Sequence, residues 1–122
     1  MKREPGVSTI QELVRALRAR DGVEAVVLLG RDGLVVDALG APGIDNERLA
    51  ALVPLVVGAA DELGSQAGRH DLATAVLEYS EGAAIVSPIG SDAILLVLAT
   101  LTEIGPLLYE LRRNRGRLAS LV

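Results

Sequence analysis

The chain contains no cysteine, no phenylalanine and no tryptophan, only two tyrosines and a single histidine. Without cysteine, disulfides and cysteine-ligated metal sites are excluded, and a reducing compartment, the cytoplasm, is the expected location. Without an aromatic platform beyond Tyr79 and Tyr109, stacking on single-stranded nucleic acid is excluded as well. Positive charge is in deficit: 12 basic against 16 acidic residues give a net charge of −4, the opposite of a broad nucleic-acid footprint. No apolar run reaches the about 18 residues of a transmembrane helix. The opening MKREPGVSTI has basic residues but no apolar stretch behind them, so it is not expected to be a signal peptide.

Half of the 122 residues are apolar. A chain of this length forms one domain that can bury roughly two-thirds of its unfolded surface. Residues 1–7, with Pro5 and Gly6, read as a flexible lead-in, and 8–122 as the domain. Ser8 and Gln11 form a capping box ahead of Ile10, Leu13, Val14 and Leu17, whose spacing predicts an amphipathic helix ending near Arg20–Gly22. VEAVVLLG (23–30) and LVVDAL (34–39) read as two strands joined at Asp32-Gly33. The first is apolar on both faces and belongs inside a sheet; the second, interrupted by Asp37, belongs nearer an edge.

Asp45 caps a second helix running to about Ser65. Its apolar residues surround much of the helix, which predicts burial on more than one side. Pro54 within it is expected to kink the helix or shift its start. Residues 71–79 (DLATAVLEY), 83–88 (AAIVSP) and 93–99 (AILLVLA) read as three further strands, the last as uniformly apolar as the first and so also central. Thr102 caps a final helix with Pro106 in its first turn and an apolar stripe of Ile104, Leu107, Leu108, Leu111 and Leu118.

No catalytic constellation emerges. A triad needs a nucleophile, a base and an orienting group, and His70 sits at a turn between Arg69 and Asp71, where solvation explains it. No metal-ligand set and no cofactor motif is present; there is no GxxxxGK[ST] segment and the glycines at 30, 33, 40 and 43 read as turn residues. Arg112, Arg113, Arg115 and Arg117 suit a helix C-terminus, and also an acidic partner or lipid surface. Arg31, Arg48 and Arg69 are expected to be solvated.

Four segments in this order resemble the roadblock/dynein light chain family, the bacterial MglB-type members most: GVEAVVLLGRDGLVV, the Ala/Leu/Val-rich second helix ending in ADELG (60–64), EGAAIVSPIGSDAILLVLA (81–99) and IGPLLYELRR (104–113). The likeness spans about Ser8 to Leu118. It implies an α/β (α+β) roadblock/longin-like fold: a five-stranded antiparallel sheet of order 2-1-5-4-3 between helices, in the order α-β-β-α-β-β-β-α. It implies a homodimer that pairs third strands and sets second helices side by side, through Leu52, Val56, Ala59 and Leu63 with Leu72, Ala73, Ala75 and Leu77. It further implies a non-catalytic regulator or scaffold of a small Ras-like GTPase, docked near Glu47, Arg48, Leu55, Asp61 and Glu62, with another roadblock chain as an alternative dimer partner. Two other readings stand beside it: a nucleotide-independent adaptor, and a profilin- or PAS-like sensor of a small ligand, which would need a concave pocket with convergent polar groups.

Overall fold

The computed structural model describes residues 9–122, so the lead-in at 1–7 and Ser8 lie outside the described residues. The elements are α1 (Ile10–Arg18), β1 (Val23–Gly30), β2 (Val35–Leu39), α2 (Asn46–Gln66), β3 (Ala75–Tyr79), β4 (Gly82–Ile89), β5 (Ala93–Ala99), a 3-10 turn (Leu101–Glu103), α3 (Ile104–Arg113) and α4 (Arg115–Ala119). The strands form one antiparallel sheet of order β2-β1-β5-β4-β3. This is the expected fold, with β1 and β5 adjacent at its centre.

The sheet is covered on both faces. On one, Leu13, Val14 and Leu17 of α1 and Leu107, Leu111 and Leu118 of the C-terminal helices close over Val26, Leu28, Leu95 and Val97. On the other, Ala50, Val53 and Val57 of α2 close over Val27, Leu29, Val86, Ile94 and Leu96. Residues 25–29 are fully buried, because a central strand with helices above and below has no solvent face.

The edges differ. At β2, Leu28 pairs with Asp37 but Leu29 with Val35, so Val36 is an extra, bulged residue. The Asp37 carboxylate also accepts the Ala38 N–H, at 3.0 Å. At β3, every residue from Ala75 to Tyr79 pairs in unbroken register with β4.

Several local expectations are corrected. The α1 cap sits one residue later than Ser8: Thr9 Oγ1 accepts the Glu12 N–H at 3.1 Å and meets the Glu12 carboxylate, so Gln11 is not its box partner. The third strand starts at Ala75, not 71. Gly68 and Asp71 take left-handed φ values of 72° and 62°, and residues 72–74 run as a loop whose Ala73 carbonyl accepts from the buried Ser87 hydroxyl at 3.1 Å. Thr102 does not cap the last helix: it lies inside the 3-10 turn that precedes α3. The helix breaks at Asn114, whose side-chain amide donates to the Glu110 carbonyl at 2.9 Å.

Pro54 neither ends α2 nor shifts its start; Asp45 caps the helix as expected, accepting the Arg48 N–H. Proline at 54 removes the donor that would have met the Ala50 carbonyl. At that level the β1–β2 turn comes close: a Cβ on Gly33 would lie 3.4 Å from the Ala50 oxygen and 3.7 Å from the Pro54 ring. Gly33 also has φ of +85°, while Asp32 accepts the Leu34 N–H through its side chain. Glycine is therefore required by the left-handed backbone of the turn, while a Cβ there would only make ordinary contact with the helix.

Candidate protein-docking surface

A 21-residue helix that buries only Ala50, Val53 and Val57 leaves much apolar surface uncovered. Leu52, Val56, Ala59 and Leu63 recur at intervals of four, three and four, so they form a second stripe beside the buried one. Leu52 is 48% and Leu63 72% exposed, Ala59 is exposed and Val56 half-buried.

The direction of this stripe follows from the opposite flank. There Pro54 approaches Gly33 of the β1–β2 turn, and Asp61 lines a polar cleft with Arg31, Asp71, Gly90 and Arg115 at the same end of the sheet. The stripe thus faces the other end of the strands. Registration places Leu77, Ala84 and Leu98 there in one cross-strand row, all half-buried. The adjacent row, Ala75–Val86–Leu96–Val27, belongs to the core beneath α2. A half-buried apolar row at the margin of that core, against which Ala84 and Leu98 still pack, an open helix stripe and the free edge of β3 therefore adjoin.

Of the residues expected at a dimer contact, Leu52, Val56, Ala59, Leu63 and Leu77 lie on this surface. Ala75 lies in β3 and, like Ala84 and Leu98, is half-buried against the α2-side core; Leu72 packs there too but, with Ala73, precedes the strand. Ala84 and Leu98 were not expected there. Both sit in strands too apolar for the pattern to separate one face from the other; only registration with Leu77 reveals them.

The residues expected to meet a partner divide in two. Arg48, Leu55 and Glu62, seven apart, share one outward line, with Leu55 70% exposed between the charges. Glu47 and Asp61, also exposed, lie on the flank toward the turns. His70 is exposed in a turn, and Arg31, Arg48 and Arg69 are exposed. Arg115 donates to Thr74 Oγ1 at 3.5 Å, so it does more than close a helix. Among the described residues no group of three or more His, Asp or Glu is placed to hold a metal ion, and no helix is long and apolar enough to cross a membrane.

Residues 9–99 match the family model for the Roadblock/LC7 domain. The chain belongs to that family. Among curated relatives, the uncharacterized protein MJ0714 of Methanocaldococcus jannaschii is 22% identical over 114 residues, covering 93% of this chain and 97% of the relative. Among solved structures, the gliding protein MglB of Thermus thermophilus superposes with a TM-score of 0.78 at 21% identity, covering 91% of this chain and 86% of that one. An MglB in a tetrameric arrangement gives the same TM-score and identity, covering 91% and 85%. These likenesses establish a shared roadblock fold. Within it, this roadblock domain carries its uncovered apolar surface on α2, β3 and the row from Leu77 to Leu98.

Proposed function

We propose that this roadblock domain is a non-catalytic cytoplasmic protein that pairs with a second copy of itself, or with another roadblock-domain chain, and binds a small Ras-like GTPase on the face made by the two α2 helices. The observation that carries this reading is the coincidence of three unfinished features: the Leu52–Leu63 stripe, the half-buried Leu77–Ala84–Leu98 row and the unguarded β3 edge. An open edge of low charge invites strand pairing, and a two-fold contact satisfies it in a closed assembly. The same contact covers the stripe of one α2 with that of the other. The MglB in a tetrameric arrangement supports self-association.

Once the stripes are covered, the outward line of Arg48, Leu55 and Glu62 remains, doubled by symmetry. A buried apolar anchor ringed by charge is the usual anatomy of a protein contact. The GTPase would bring its own nucleotide, Mg²⁺ and catalytic groups, and this protein would bias its switch segments or position it in the cell.

The test is binding to small Ras-like GTPases from the same genome, each loaded with GDP or with a non-hydrolysable GTP analogue. Preference for one nucleotide state is the expected result for a regulator. Equal binding would make the protein a scaffold, and no binding to any of them would overturn the GTPase assignment.

A further inference from the structure

α1, the 3-10 turn, α3 and α4 cover the sheet face opposite α2, and they are charged differently from the rest of the chain. Residues 9–22 and 101–122 carry seven arginines against Glu12, Asp21, Glu103 and Glu110, whereas residues 23–100 carry three arginines against eleven acidic residues. In a chain of net charge −4, this helical layer is therefore a positive island.

Several charges of the layer are already engaged. Arg18 donates to the Val23 carbonyl at 3.0 Å, Arg20 stands 3.6 Å from Glu103, and Arg15 is one turn from Glu12 on α1. Arg115 lines the polar cleft with Asp61 and Asp71, and Arg117 has a partner. Glu110 lies on the flank of α3 toward α1, where it accepts from Asn114 at 3.2 Å. What is left over is one line on the outside of α3. Pro106, Tyr109 and Arg113 recur at intervals of three and four, opposite the buried Leu107 and Leu111, with Arg112 beside them. All four are exposed, Tyr109 to 63%. Neither Arg112 nor Arg113 has a hydrogen bond or ion pair among the described residues. The four line neither the groove between α1 and the C-terminal helices nor the polar cleft, so they form a ridge, and none of them is acidic.

We propose that this ridge docks the protein on an anionic lipid bilayer, with Arg112 and Arg113 at the headgroup phosphates and the Tyr109 ring at the boundary between headgroups and acyl chains. Tyrosine has an apolar body and a polar tip, and arginine extends its stem along apolar surface while its charge stays in water, so both suit that boundary. A ridge has no concavity to register a folded partner. A bilayer needs none, because it responds to charge and apolar area without fixed geometry. α2, with Glu47 and Glu62, lies across the sheet, two packing layers or roughly 20 Å away. That is about two Debye lengths at physiological salt, so its repulsion does not cancel the attraction and instead turns α2 away from the surface. The ridge is present on every copy and stands apart from the dimer and GTPase readings.

The experiment is flotation of the full chain with vesicles of phosphatidylcholine, alone or with one-third phosphatidylglycerol, at physiological ionic strength. Binding only to the vesicles containing phosphatidylglycerol is expected, and it should be lost as salt approaches about 1 M, where the Debye length falls to about 3 Å. Arg112→Gln with Arg113→Gln is expected to weaken partitioning roughly 25-fold, about fivefold for each arginine. Arg112→Lys with Arg113→Lys is expected to keep most of the binding, because a headgroup layer responds to point charge and not to a planar fork. Arg69→Gln, beyond the end of α2, is expected to change partitioning less than twofold. The chain lacks tryptophan, so a Tyr79→Leu variant emits from Tyr109 alone. Lipids brominated in the upper acyl chain are expected to quench that emission. The proposal is overturned by equal binding to neutral vesicles, by undiminished binding of the Gln pair, by an equal loss in Arg69→Gln, or by Tyr109 emission that brominated lipid leaves unchanged. Absence of binding to either vesicle overturns it as well and leaves the ridge to an acidic protein.

Discussion

Leu63→Ala isolates the α2 stripe without touching the core. Leu63 is 72% exposed in the single chain and belongs to neither buried cluster. The substitution removes three carbons, each worth about 0.8 kcal/mol when fully buried. Scaled by the exposed fraction that docking would cover, the loss is about 1.7 kcal/mol per copy. An isologous contact counts it twice, giving about 3.5 kcal/mol and a dimer dissociation constant raised roughly 300-fold. The stability of the single chain should stay within about 0.5 kcal/mol, since alanine is the best helix former and the site is on the surface. Sedimentation equilibrium over a concentration series reads the first quantity and denaturant unfolding of the dissociated chain the second. A dimer whose dissociation constant moves by less than about threefold would remove Leu63 from the contact. A wild-type chain that stays monomeric throughout would remove the whole surface.

Three further outcomes are expected. Leu95→Ala, at a fully buried position of the central strand, should cost about 2–5 kcal/mol in chemical unfolding, because neighbours packed from both sides cannot collapse into the space. Gly33→Ala should cost about 1–2 kcal/mol by the same measurement, since φ of +85° is strained for any side chain although the new methyl would only touch the Ala50 carbonyl. Replacing Arg112 and Arg113 with Gln should leave affinity for a GTPase nearly unchanged, because α3 lies across the sheet from α2; a large, salt-dependent loss in a binding titration would move the docking face.

What could be read in the sequence was whatever local chemistry determines. Strands apolar on both faces had to be central, which placed β1 and β5; Asp45 and the glycine at 33 marked a cap and a turn that need no distant partner. The excess of apolar residues on α2 was legible as well, because a helix cannot hide them all against one sheet. Most of the misread features depend on contacts between distant segments. The start of β3 is set by Ser87 drawing the Ala73 carbonyl aside. The break at Asn114 is a local contest between backbone and amide side chain that composition does not decide. Pro54 looked disruptive because the Gly33 turn that meets it lies 21 positions away, and Ala84 and Leu98 stayed hidden because β4 and β5 have no polar alternation to mark a face.

The bulge at Val36 and the carboxylate of Asp37 give the sheet a valence of one. A strand arriving at β2 would meet a broken ladder and an N–H already claimed, whereas one arriving at β3 would meet five residues in uninterrupted register. Were two copies to pair through β3 as proposed, growth by adding strands would terminate there, with a β2 at each outer end of a ten-stranded sheet. Anything larger must be assembled through side chains, whose composition evolution can retune without reopening the route to a fibre.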